Sequence, residues 1–472
     1  MSKGRVHLIG ICGTAMASLA GMLKELGYEV SGSDAAAYPP MSDFLKSLGI
    51  PVRQPFDAAN LQPRPDLVIV GNAISRGNLE LEFVLDERLT LKSLPQVIQE
   101  HFLLSRQPIV VAGTHGKTTT TSMLAWIFEV AGREPSFLIG GIAENFGSSF
   151  AVRDSAEFVI EGDEYDTAYF DKGPKFLHYM PWAVLLTHVE FDHADIYKDL
   201  DAVKVAFKRL INLVPQRGKI IAFDGSGNVK ECVAKAFAPV EFYGFAVDST
   251  WRVRDMEFGR DLTHWTVDRD GKPWAKFEFS LAGAYNVLNA TGAAAMAANF
   301  DIEPRKIQEA LGSFKSVKRR LEVIAEVNGI TIIDDFAHHP TAIAATLEAV
   351  RTRYAGRRLW AIFEPRSNTL RRKVFEREVV AALAIADEIV VASVFKPEAV
   401  PEAERLEVET IVAGLQREHK PARQFRDADA IVAAVTPELK PGDVVVILSN
   451  GGFGGIYQKL PAALRARTAV TA

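Results

Sequence analysis

Val110–Thr121 reads VVAGTHGKTTTT, and the fold turns on how this stretch is read. The apolar run Pro108 to Ala112 predicts a buried parallel strand. A glycine-bounded turn follows, then Lys117, a run of threonines and a helical pattern over Ser122–Ala131. Strand, glycine loop, helix is the context a phosphate-binding loop requires. Gly113 and Gly116 let the backbone bend so that its N–H groups face an anion, and the helix N-terminus adds partial positive charge. Lys117 is placed to reach the β- and γ-phosphates of a nucleotide, and the Thr118 hydroxyl to take a place on Mg²⁺. Thr114, His115 and Thr119 complete the loop as nucleotide-binding candidates. A glycine turn with a surface lysine would show the same G-K-T, but would not need a strand before it and a helix after it.

Upstream, Val6–Ile11 predicts a short strand, Gly10 and Gly13 a turn, and Ala15–Leu26 an amphipathic helix ending at Gly27. Tyr28–Ser31 restarts as a strand and runs into Gly32-Ser33-Asp34. This is a βαβ unit with an acid after its second strand, but Cys12 and Ala15 stand where a dinucleotide fingerprint needs glycine. The turn, with Gly10, Gly13 and Thr14, still suits a diphosphate; Ser33 and Asp34 sit where a ribose or base is held. A nucleotide diphosphate other than NAD fits. The same turn with no ligand at all stays open. Asp66–Val70 is a further strand, and Asn72 lies at its end, where ligands of open α/β sheets bind.

Downstream, Glu157–Ile160 predicts a strand ending in EGDEYD (161–166), an acidic cluster that suits Mg²⁺ beside the phosphate loop, or a solvated turn. Ala183–Leu186 leads into THVEFDHAD (187–195), with His193 between two carboxylates. Val240–Thr266 and Phe277–Leu281 read as antiparallel strands decorating the sheet, and Leu281–Ala298 as a helix. Arg319 and Arg320 fall at a joint, where they are solvated or swing against a triphosphate. Beyond it, strands Ile330–Ile333, Leu359–Phe363, Glu388–Ala392 and Asp443–Leu448 mostly end in polar or glycine clusters that would line one edge of a parallel sheet.

The 472 residues suffice for about three domains, 48% hydrophobic and 24% charged, as in ordinary globular proteins. A net charge of −5 gives no reason to expect nucleic acid or an acidic membrane as partner. Cys12 and Cys232 form neither a disulfide framework nor a zinc knuckle, so a cytoplasmic location is expected. Lys3, Arg5 and Ala15-Met16-Ala17 mimic a signal peptide, but His7, Gly10 and Gly13 interrupt its apolar region. No run approaches a membrane span.

GTHGKTTT, EGDEYD, the DH of EFDHAD, LAGAYNVLN and DDFAHHP, all in this order, make the chain resemble the Mur ligase family over its whole length. The resemblance implies an α/β protein of three domains. These are a Rossmann-like UDP-sugar domain (1–106), a central P-loop ATPase domain (107–316) and a C-terminal Rossmann-like domain that takes the amine (317–472). It implies ATP-driven amide synthesis on a UDP-N-acetylmuramyl carboxylate through an acyl phosphate, with ATP and Mg²⁺ as cofactors and no obligate protein partner. Two branches use UDP-N-acetylmuramate itself, one adding L-alanine, the other the tripeptide L-alanyl-γ-D-glutamyl-meso-diaminopimelate. The strings GSDAAAYPPMS, GNAISRGN, EYDTAYFDK, EFDHADIY, EPRSNT and SNGGFGG are similar to the tripeptide branch. A nucleotide-dependent binding or switch protein is the reading from another class.

Carried over by motif, Lys117 and Thr118 would hold phosphate and metal, with Glu161 and His193 as further metal residues. Asn286 and Asn289 would lie beside the adenine, Arg320 at the interdomain position and Asp335 at the ribose. His338, His339, Arg366 and Asn368 would face the incoming amine, with Lys117, His193, Arg320 and His338 as the catalytic set. Tyr285 stands where the family usually has histidine. Lys204 and Lys208 lie near the place where some members carry a carbamylated lysine, but neither aligns with it.

Overall fold

The computed structural model describes residues 3–37 and 41–471, with side chains up to Arg467. Residues 38–40 of the GSDAAAYPPMS string lie outside the described residues. Three large sheets form three bodies, and a two-stranded ribbon pairs Asp166–Ala168 with Asp171–Pro174. The first is parallel throughout, its strands running Val52–Arg53, Glu29–Ser33, Arg5–Ile9, Leu67–Val70 and Leu91–Ser93 from edge to edge. The order reverses beside Arg5–Ile9, so the turn after that strand opens onto the crevice where such sheets bind ligands.

The second sheet has ten strands. Gln107–Ala112, the strand before the phosphate loop, lies between Glu157–Gly162 and Ala183–Leu186, and both pairings are parallel. All three strands therefore end at one edge, which brings EGDEYD and THVEFDHAD to either side of the phosphate loop. Val240–Gly244, expected as antiparallel, instead pairs in parallel with Lys219–Phe223, because the helix Gly227–Val233 carries the chain back across the sheet. Trp251–Phe258, Thr263–Arg269 and Lys272–Phe279 pair antiparallel at one edge, and Ser148–Ala151 pairs antiparallel with Ser136–Ala143 at the other.

The helix after the phosphate loop is Lys117–Val130 and takes in the threonine run that the sequence pattern had left outside it. β-branched residues are poor helix formers, but here Thr118 to Thr121 are buried under the sheet and Thr121 Oγ1 donates back to the Lys117 carbonyl at 2.7 Å.

The third sheet runs Glu322–Val327, Ile330–Asp335, Val444–Leu448, Leu359–Phe363, Glu388–Ala392, Ala422–Phe425. Five strands are parallel, and Glu322–Val327 pairs antiparallel at one edge. DDFAHHP, SNGGFGG and EPRSNT follow three adjacent strands and share one end of this sheet.

A continuous apolar cluster passes from Val6, Leu19 and Phe102 of the first body into Phe150, Phe158 and Phe207 of the second. Phe150 packs so closely on the helix Thr14–Glu25 that a Cβ at Gly21 would sit 2.6 Å from its ring. The third body has separate clusters built from its own strands and helices. Its seam with the second body carries hydrogen bonds, the approach of His338 to Asp192 at 3.9 Å and the Phe191–Phe375 ring contact. Among the described residues no helix is long and apolar enough to cross a membrane.

Candidate active site

The phosphate loop is built around two strained glycines. Gly113 has φ +137° and Gly116 φ +78°, both costly for a residue with a Cβ. There is also no room for one. A Cβ at Gly113 would lie 2.2 Å from Thr187 Oγ1, and one at Gly116 would lie 2.6 Å from Asn289 Oδ1. Thr114 N–H donates to the His188 carbonyl at 2.8 Å, which pins the loop to the neighbouring strand end.

Lys117 Nζ lies 2.7 and 3.0 Å from the two carboxylate oxygens of Glu164 and donates to the Gly113 carbonyl at 2.7 Å. Burial opposes the Lys117 charge, but Glu164, Asp163 and Glu161 outweigh it and raise its proton affinity. Thr118 Oγ1 donates to Glu161 at 3.0 Å, and the other Glu161 oxygen accepts from Gly140 N–H at 2.8 Å. Burial pushes the Glu161 carboxyl above the usual carboxylate range, against the pull of Lys117 and Arg320. Arg320 reaches in from the third body, its guanidinium 3.4 Å from Thr118 Oγ1.

Behind the loop is a cavity of about 110 Å³. His115, Gly116 and Thr119 form one wall, Tyr285, Asn286 and Asn289 a second, and Arg320 and Asp335 a third. Asn286 donates to the Ala282 carbonyl at 2.8 Å, which fixes its amide. Asp335 accepts from the N–H groups of Leu321 and Ala337, both at 2.8 Å, and burial raises its proton affinity. Tyr285 stands in this wall with its phenol proton held by burial and by Asp335.

A second cavity, of about 310 Å³, opens between the second and third bodies, where Tyr165, Asp192 and His193 face His338, Arg366 and Asn368. His193 Nε2 lies 3.4 Å from Glu164; burial works against its proton, but Glu164 and Asp192 prevail and raise its pKa. His338 Nδ1 faces the Phe336 carbonyl at 3.0 Å and so carries the hydrogen, leaving Nε2 with the lone pair. Burial lowers the His338 pKa, which keeps the ring neutral near pH 7. Arg366 lies flat on Phe395, 3.6 Å from the ring centre. Asn368 donates to Asp195 at 2.7 Å and to the Tyr165 hydroxyl at 3.0 Å.

His339 is grouped elsewhere. Its Nε2 meets the Phe191 carbonyl at 3.1 Å and its Nδ1 caps the helix Pro340–Arg353 through Thr341 N–H. Its ring lies 4.4 Å from that of His115, and both flank Glu190. In the first body, Gly10, Gly13, Thr14 and Asp34 share one loop, with Asp34 accepting from Cys12 N–H at 2.9 Å. The Ser33 side chain turns inward instead, to Glu80 and His7. Asn72 donates to the Asp166 carbonyl at 2.8 Å and so touches the second body. Lys204 and Lys208 are both ion-paired to Glu231.

Glu164 and Glu190 were absent from the residues singled out in the sequence. Both lie in strings quoted above, but spacing alone does not say which acid of EGDEYD takes the lysine.

Segments 5–106, 111–297 and 319–451 match the models of the Mur ligase family catalytic domain, the Mur ligase middle domain and the Mur ligase glutamate ligase domain. The chain is 42% identical to the UDP-N-acetylmuramate–L-alanyl-γ-D-glutamyl-meso-2,6-diaminoheptandioate ligase of Escherichia coli K12 over 97% of both chains. It belongs to the Mur ligase family. Each matched segment of this Mur ligase carries one of the three large sheets. A murein peptide ligase from Psychrobacter arcticus matches its structure over 98% of both chains, with TM-score 0.74 and 37% identity. The UDP-N-acetylmuramate–L-alanine ligase of Burkholderia pseudomallei is 32% identical over 96% of this chain and 97% of its own.

Proposed function

We propose that this Mur ligase joins the carboxylate of UDP-N-acetylmuramate to the amine of L-alanyl-γ-D-glutamyl-meso-diaminopimelate, at the expense of ATP. One observation carries the choice of amine: 42% identity over nearly the full length to an enzyme named for that tripeptide, against 32% to one named for L-alanine.

A carboxylate is too poor an electrophile to take an amine directly. Its oxygen therefore attacks the γ-phosphorus of ATP, the bond to the β-phosphate breaks, and ADP leaves an acyl phosphate. Lys117 and Arg320 supply positive charge at the phosphates, and the loop N–H groups supply dipoles there. Thr118 and Glu161, 3.0 Å apart, are hard oxygen donors of the kind Mg²⁺ takes, and His193, beside Glu164, would serve a second metal. Mg²⁺ bound there adds charge against the phosphate oxygens. Asn286, Asn289 and Asp335 line the nucleotide side. Gly10, Gly13, Thr14 and Asp34 hold the UDP group in the first body. The amine then attacks the acyl carbon and phosphate departs. His338, neutral and with the lone pair on Nε2, 3.9 Å from Asp192, takes the amine proton, a contribution of about 10²- to 10⁴-fold. Arg366 and Asn368 orient the peptide.

The test is incubation with ATP, Mg²⁺ and UDP-N-acetylmuramate plus either the tripeptide or L-alanine, following ADP release and product mass. The tripeptide product is expected. Faster turnover of L-alanine, or no turnover of any amine, overturns the reading.

A further inference from the structure

Glu190 to Asp195 follow a strand of the second body, yet the third body grips this loop along its length. Thr341 Oγ1 donates to Glu190 at 2.8 Å, and His339 meets the Phe191 carbonyl at 3.1 Å. Thr369 Oγ1 donates to Asp192 Oδ1 at 2.6 Å and accepts from Ala194 N–H at 3.2 Å. Asn368 donates to Asp195 at 2.7 Å. His193, in the middle, lines the cavity between the two bodies and sets its Nε2 3.4 Å from Glu164, the partner of Lys117. Its backbone is left-handed, φ +55°, a conformation that persists in a non-glycine residue only where the surroundings enforce it. Asp192 enforces it from one side, since its Oδ1 also accepts from His193 N–H at 2.7 Å. That same oxygen is the one Thr369 holds, with Thr369 1% and Asp192 5% exposed.

We infer that Thr369 is a positioning residue: its hydroxyl, brought in by the third body, locks the Asp192–His193 turn and so sets the His193 ring against the phosphate loop. Phosphoryl transfer is thereby tied to seating of the amine-bearing body, and an acyl phosphate is not made when no peptide domain is in place to use it. The inference rests on the ligase reading above.

Thr369→Val keeps the shape and removes both hydrogen bonds; Thr369→Ser restores the hydroxyl. Losing a buried bond to a charged partner predicts a fall in kcat of about 10- to 100-fold in Thr369→Val, with KM for ATP and UDP-N-acetylmuramate within about threefold of wild type. Thr369→Ser returns kcat to within about threefold of wild type. Hydroxylamine trapping of the acyl phosphate, with ATP and UDP-N-acetylmuramate alone, reads the first step directly and falls with kcat. Should Thr369→Val not fold, Thr369→Ala takes its place, with hydrogen exchange over residues 190–197 reporting the freed turn. Wild-type kcat in Thr369→Val, or an equal loss in Thr369→Ser, overturns the inference. Absence of tripeptide product from the wild-type protein would instead overturn the ligase reading.

Discussion

Replacing Lys117 with Ala takes the cation from a buried pair and leaves its carboxylate behind. Glu164 is 2% exposed and both its oxygens lie within 3.0 Å of Lys117 Nζ. Removing one partner of such a pair costs about 3–5 kcal/mol, and His193 at 3.4 Å keeps the loss near the lower figure. Glu164→Gln keeps the shape and discards the charge. In the Lys117→Ala background it relieves the stranded carboxylate, so the two changes couple by about 2 kcal/mol instead of adding. At about 2–4 °C per kcal/mol for a body of this size, Lys117→Ala melts about 6–12 °C below wild type and the double variant regains about 4–8 °C. Catalysis does not follow stability. Both variants lack the cation at the phosphates, and ADP release falls by about 10²-fold or more in each. Differential scanning fluorimetry at pH 8 and a coupled ADP assay measure the two effects. A Lys117→Ala melting point within about 1 °C of wild type, strict additivity in the cycle, or peptide-dependent ADP release near the wild-type rate would each refute the reasoning.

Gly116→Ala forces a Cβ into a left-handed position and onto Asn289 Oδ1, at a cost of about 2 kcal/mol, and raises KM for ATP at least about tenfold while KM for the UDP-sugar stays put. Unchanged ATP kinetics would show that the loop does not cradle the nucleotide. Burial pushes the His115 pKa down to about 4, so between about pH 6.5 and 4 the unfolded chain binds a proton that the native loop refuses, and stability falls by up to about 3 kcal/mol as pH drops through that window. His188 and His338, also lowered by burial, act in the same direction; His193, raised, acts against it. Melting curves of wild type and His115→Asn should diverge below pH 6.5, and parallel curves would remove His115 from the account.

The phosphate loop was legible because its chemistry is local: glycine turn, lysine and hydroxyl lie within a few residues of one another. The parallel strand ends were legible for a similar reason, since an apolar run that stops at a polar cluster marks a buried strand reaching the rim of its sheet. The threonine helix was not, because propensity argued against it and burial under the sheet decided it. The aromatic and charged residues of Val240–Gly244 alternate like an edge strand, but the short helix Gly227–Val233 before it makes the crossover that a parallel pairing needs. The pairings across the joint were out of reach. Nothing in EPRSNT says that its threonine meets Asp192, or in DDFAHHP that its second histidine meets Phe191, since those choices depend on how two sheets face one another.

The apolar interior that runs unbroken from the first sheet into the second stops short of the third. The joint before the third body is therefore the one that opens with least apolar surface exposed. On the proposed function, sugar and nucleotide would be seated in one solid block, and the remaining lobe would work as a jaw against it. With such a jaw ajar both could be loaded, while the bulky peptide would enter, and phosphate and product would leave, through the same mouth.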